Sequence, residues 1–140
     1  QIDLIWASPP CLQFSVAYSA PKSIAKREGK PYSPDLSLMK KCLEIISWAQ
    51  PRYWVIENVI GAIKDFNPIL GPPRQIIGPF ALWGNFPFIH LDSDFSHRKY
   101  DHDVSAKNPL RANIRAIIPY PLADSLRKSI EEQRSILEWV

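Results

Sequence analysis

The apolar residues of this chain fall in short bursts that prolines cut off. The first burst, Ile2 to Trp6, is rich in strand formers and too short for a helix. It predicts a strand over about residues 2–7, ended by Pro9 and Pro10, which cannot continue a ladder. A proline-punctuated loop is expected from there to about residue 33. Ser33, Pro34 and Asp35 then read as a helix start: a capping hydroxyl, a proline at the first helical position and an acid in the first turn. Leu36, Met39, Leu43 and Ile46 recur at helical spacing, and Pro51 ends the run. The stretch "YWVIENV", residues 53–59, predicts a second buried strand. Strand, helix and strand with short joins predict a parallel pair joined by a crossover helix.

Beyond residue 60 the pattern weakens. "PFALWGNFPFI", residues 79–89, predicts one or two strands around Gly84 and Asn85. Residues 90–110 are polar and loop-like, and "RAIIPY", residues 115–120, reads as extended. Pro121 opens a last helix to about residue 138, with Leu122, Leu126, Ile130 and Leu137 on one side.

Composition narrows the class. At 140 residues and 46% hydrophobic content the chain suits one globular domain. The expected divisions are residues 1–60 for the strand–helix–strand unit, 61–120 for the remaining strands and 121–139 for the last helix. Two cysteines, Cys11 and Cys42, give no disulfide framework and point to a reducing, cytoplasmic setting. No run of about 18 apolar residues exists, so no membrane partner is expected. The net charge of +3 is small, but Lys22, Lys26, Arg27 and Lys30 cluster against a single Glu28. Alone, such a cluster is a solvated basic loop.

Chemistry enters at the strand ends. Ligands of open parallel sheets sit outside the carboxyl ends of the strands. The first strand runs into Ser8, Pro9, Pro10 and Cys11, and the second ends in Glu57, Asn58 and Val59. Two prolines stiffen the backbone that launches the thiol, so little entropy is lost when it meets a reacting atom. A thiol and a carboxyl at neighbouring strand ends form a nucleophile and proton-donor pair.

These residues give the chain a resemblance. "SPPCLQFS" resembles the Pro-Pro-Cys motif, and "ENV" the Glu-Asn-Val motif, of the DNA (cytosine-5) methyltransferase family. Leu38 and Pro51 also stand where that family has a leucine and a proline. The resemblance is good over about residues 2–60 and loose beyond. It implies an α/β architecture, a partial Rossmann-like methyltransferase fold: a mostly parallel sheet with flanking helices and the N-terminal cofactor half missing. It implies methyl transfer from S-adenosylmethionine to carbon 5 of a cytosine flipped out of double-stranded DNA. Cys11 would be the nucleophile and Glu57 the acid at ring nitrogen 3, with Asn58 fixing the loop and orienting Glu57. Pro10 and Leu38 match positions that touch the cofactor. Ser15, Lys22, Lys26, Arg27 and Lys30 fall where the family closes a mobile loop over DNA.

The departures are specific. Leu12 separates Cys11 from Gln13, where the family has glutamine directly after the cysteine. No Gln-x-Arg-x-Arg stretch is present, and Arg74 holds the comparable place as a candidate base contact. The recognition segment is confined to residues 85–112, and "RAIIPYPLADSL" resembles the segment that returns to the cofactor pocket. No G-x-G occurs, so the cofactor half is expected upstream, in the same or another chain. His97, Asp101, His102 and Asp103 read as a solvated polar loop, and no metal site is expected. Two other readings compete. One is a non-catalytic DNA-binding remnant. The other is an amino-methylating enzyme, which wants an aromatic residue after its prolines and needs no thiol.

Overall fold

The computed structural model describes residues 2–91, 95, 109, 110, 114 and 116–133. Two strands form where the β-branched and aromatic bursts predict them. They are β1, Leu4–Ala7, and β2, Tyr53–Val59. They pair in parallel, Leu4 opposite Tyr53 through Ala7 opposite Ile56. Two more strands complete the sheet, β3, Gln75–Ile77, and β4, Phe80–Asn85, in the order β1-β2-β4-β3.

The sheet is mixed, which corrects the expectation of a mostly parallel one. β4 runs antiparallel to both β2 and β3. The cause is the join between β3 and β4, which is only Gly78 and Pro79. A parallel partner needs a crossover of a dozen or more residues, whereas two residues make a hairpin. Gly78 supplies the positive φ of 54° that the turn requires. At three residues, β3 is too short to show a period.

Two helices lie where none was expected. The basic stretch contains α1, Pro21–Arg27, with proline in its first turn and only Ala25 buried. It shows no apolar stripe, so hydrophobic spacing had nothing to register. After β2, a single 3-10 turn at Ile60–Ala62 leads into α3, Ile63–Leu70, which tolerates Pro68 and buries Phe66. The expected helix between the strands is α2, Ser37–Ala49. It begins three residues after Pro34, because the Asp35 carboxylate accepts from the Ser37 amide at 2.8 Å and its hydroxyl at 2.9 Å. Gln50 ends α2 in the left-handed conformation, φ 43°, just before Pro51. The last helix, α4, spans Tyr120–Glu131 with Pro121 in its first turn. It stops short of residue 138, and Leu137 lies outside the described residues.

By internal packing the chain divides into Gln1–Phe86 and Pro87–Val140. In the first unit, Met39 and Ile46 of α2 join Phe14, Ile56, Ala62, Phe66, Ala81 and Trp83 in one core. Phe66 stands edge-on to Phe14 at 4.9 Å and tilted against Trp83 at 5.2 Å. The Trp83 indole donates to the Gly71 carbonyl at 3.0 Å, which satisfies the one polar atom it takes inside. In the second unit, α4 buries Leu122 and Leu126. No helix among the described residues is long and apolar enough to cross a membrane.

Candidate active site at the ends of two parallel strands

Strand alternation sorts the site residues. Ile5 and Ala7 of β1, with Trp54 and Ile56 of β2, pack toward the core that holds α2. The intervening residues of the two strands, Trp6 and then Ser8 beside Glu57, belong to the opposite face. One step beyond the last register pair brings Ser8 abreast of Glu57.

Two polar side chains are buried at the end of β2, Glu57 at 8% exposure and Asn58 at 1%. Asn58 is committed to the backbone. Its Nδ2 donates to the Pro9 carbonyl at 2.9 Å and its Oδ1 accepts from the Val59 amide at 3.0 Å. The first of these bonds fixes the Pro-Pro segment to the neighbouring strand. Glu57 is different: burial pushes its carboxyl above the usual range, and a hydrogen bond from Ser8 only partly opposes this. Ser8 Oγ in turn accepts from the Trp6 indole at 2.9 Å.

Pro9 is buried while Ser8, Pro10 and Cys11 are exposed. The Cys11 carbonyl accepts from the amides of Phe14 at 3.0 Å and Ser15 at 2.9 Å, so the chain turns immediately after the thiol. That turn drives Phe14 into the core. Gly61 makes the approach possible: a Cβ there would lie 2.2 Å from the Phe14 carbonyl oxygen. Neither cysteine forms a disulfide, and burial pushes the Cys42 thiol up.

The remaining candidates are distributed around this turn. Ser15 Oγ accepts from the Ala17 amide at 3.2 Å. Gln13 is also used internally, its Oε1 accepting from the Asp35 amide at 2.6 Å. Lys22 points inward, donating to the Gly61 carbonyl and to Asp65, each at 2.8 Å. Arg27 donates to the Tyr18 carbonyl at 2.7 Å and covers the Tyr18 ring at 3.9 Å. Lys30 pairs with Glu28 at 2.7 Å, and Lys26 is exposed on α1. Leu38 is exposed in the first turn of α2. Arg74, also exposed, lies 5.5 Å from the Phe86 ring. The polar cluster at His97, Asp101, His102 and Asp103 lies outside the described residues, as does most of the segment 92–108. Ser8, Gly61 and Asp65 were not marked by the sequence. Ser8 lies inside the "SPPCLQFS" stretch, but only the strand register reveals its neighbour.

A family model for C-5 cytosine-specific DNA methylases matches residues 1–68. A "Probable DNA (cytosine-5)-methyltransferase" of Frog virus 3 (isolate Goorha) is 31% identical over 92 residues, 60% of this chain and 42% of that relative. The chain therefore spans less than half the length of the curated relative it matches. No solved structure matches it.

Proposed function

We propose, from the match of residues 1–68 to the model of the C-5 cytosine-specific DNA methylase family, that Cys11 and Glu57 carry a methyl transfer to carbon 5 of cytosine in double-stranded DNA. The observation that carries this reading is the raised, buried carboxyl of Glu57 at the end of a strand parallel to the one that launches Cys11.

Carbon 5 of cytosine is a weak nucleophile. Addition of the Cys11 thiolate to carbon 6 breaks the ring's aromaticity and moves electron density onto carbon 5 and nitrogen 3. A carboxyl that keeps its proton donates to nitrogen 3 and holds the developing charge there. Burial suits Glu57 to that task, since a fully ionised carboxylate has no proton to give. After methylation the carbon 5 proton leaves to a base, the carbon–sulfur bond breaks and the thiolate is restored. Asn58 contributes by holding Pro9, and through it the Cys11 turn, against β2. The target base is inaccessible within a duplex, so it must leave the stack. Exposed Lys26 on α1 is suited to a phosphate contact, whereas Lys22 would first have to leave Asp65.

The cofactor of this reading is S-adenosylmethionine, which when bound supplies the methyl group. Pro10 and Leu38, both exposed, are the residues that this reading assigns to apolar contact with it. The polar ends of the cofactor call for acceptors from an N-terminal half, in the same or another chain. β1, an edge strand of the described sheet, offers that half an open ladder.

The test is transfer of labelled methyl from S-adenosylmethionine to duplex DNA by the protein carrying both halves, followed by nucleoside analysis. The expected product is 5-methylcytosine. Label on the exocyclic amine, or none on DNA, would reject the reading.

A further inference from the structure

We infer that Ser8 is the positioning residue for the acid: its hydroxyl, set by the Trp6 indole, selects which oxygen of Glu57 carries the proton. The inference rests on the reading of Glu57 as the acid at nitrogen 3.

The geometry has three parts. The indole N–H of Trp6 can only donate, and it donates to Ser8 Oγ at 2.9 Å. The hydroxyl hydrogen of Ser8 therefore points away from Trp6. The register carries Ser8 alongside Glu57 on the same face of the sheet, where the carboxyl takes that hydrogen. On the other side, Glu57 pairs in register with Leu82 of β4, which is fully buried and apolar. Neither flanking strand presents a charged group to the carboxyl at these positions. Among the described residues, the influences on its ionisation are burial, which raises it, and the Ser8 bond, which opposes that.

A protonated carboxyl has one oxygen that only accepts and one that also donates. The oxygen bound by Ser8 is held as the acceptor, so the proton resides on the other oxygen. That leaves a single donor, in a fixed direction, for a ring nitrogen. When Glu57 ionises, the same hydroxyl stabilises the carboxylate. Ser8 thus limits how far burial raises the group, keeping it able to release and recover a proton in each turnover. Ser8 itself is exposed, so water competes for its hydroxyl and the effect is that of one modest hydrogen bond.

The test is a carboxyl titration of the 140-residue chain by NMR with 13C-labelled glutamate, Glu57→Gln identifying the resonance. Ser8→Ala should move the Glu57 midpoint upward by about 0.4–1 pH unit, the size of one net hydrogen bond. Ser8→Thr keeps the hydroxyl and should restore the original midpoint. Trp6→Phe frees the serine hydroxyl to rotate and should give a smaller upward move. In the methylating protein, the alkaline limb of the pH–rate profile should move the same way in Ser8→Ala. An unchanged midpoint in both Ser8→Ala and Trp6→Phe overturns the inference while leaving the acid reading intact. A wild-type Glu57 that titrates in the ordinary carboxylate range overturns the acid reading itself.

Discussion

The end of β1 and the end of β2 lie side by side but are built in opposite ways. β1 runs out into Ser8, Pro9, Pro10 and Cys11, of which only Pro9 is buried, and Cys11 sits in the open part. β2 ends in two buried polar side chains, one bonded wholly to backbone and one raised by its surroundings. The proposed chemistry accounts for the difference. A nucleophile must reach a substrate that arrives from outside, whereas an acid must be kept from losing its proton to water. The exposed end cannot hold itself in place. It borrows rigidity from the buried one through Asn58 to Pro9, and from the segment that follows β2 through Gly61 under Phe14 and Asp65 to Lys22.

If that borrowing is real, cutting each connection should loosen the Cys11 turn in proportion. The largest effect is expected from Gly61→Ala, whose new methyl would meet a backbone carbonyl that is anchored by the buried Phe14 ring. Overpacking of this kind costs about 3 kcal/mol, to be read as a lower urea midpoint at unchanged slope. Asn58→Ala comes next, at about 2 kcal/mol, because it leaves a buried Pro9 carbonyl without its donor. Hydrogen exchange in that variant should rise at residues 11–15 while the α2 amides stay protected. Lys22→Met should cost about 1 kcal/mol, since its ion pair is partly screened although its second bond goes to backbone. Equal exchange at residues 11–15 in all three variants and the wild type would show that the turn holds itself.

The smallest effect sharpens the other half of the comparison. The folded Glu57 carboxyl keeps its proton to higher pH than the unfolded one, whose ordinary value is 4.5. The folded state therefore binds more protons in that window, and stability falls as pH rises from 4.5 through the folded value. Glu57→Gln cannot ionise. It should gain on the wild type across the window and show no gain below it, as measured by urea unfolding at a series of pH values.

Much of the candidate site was legible because its local chemistry is written in short segments. Two prolines before Cys11, and an apolar burst carrying Glu57, announce strand ends without any tertiary information. The parallel pair followed from strand, helix and strand in sequence. What was not legible depends on partners distant in the chain. Lys22 reads as an outward-facing lysine, solvated or set against DNA, until α3 brings Asp65 to it. Ser8 reads as a turn residue until the register brings it beside Glu57. The mixed sheet was hidden in a three-residue strand and a two-residue turn, where periodicity carries no signal.

The central claim is that Cys11 is the nucleophile. It is tested most directly with duplex DNA carrying 5-fluorocytosine, incubated with S-adenosylmethionine and the protein bearing both halves. Fluorine cannot leave carbon 5 as a proton does, so the carbon–sulfur bond should persist as a denaturation-resistant adduct, with the crosslink mapping to Cys11. Cys11→Ser should form no adduct while still binding DNA, because a serine hydroxyl yields far less anion at neutral pH than a thiol. Cys42→Ser should form it normally. An adduct that survives in Cys11→Ser, or maps to any other residue, would contradict the account.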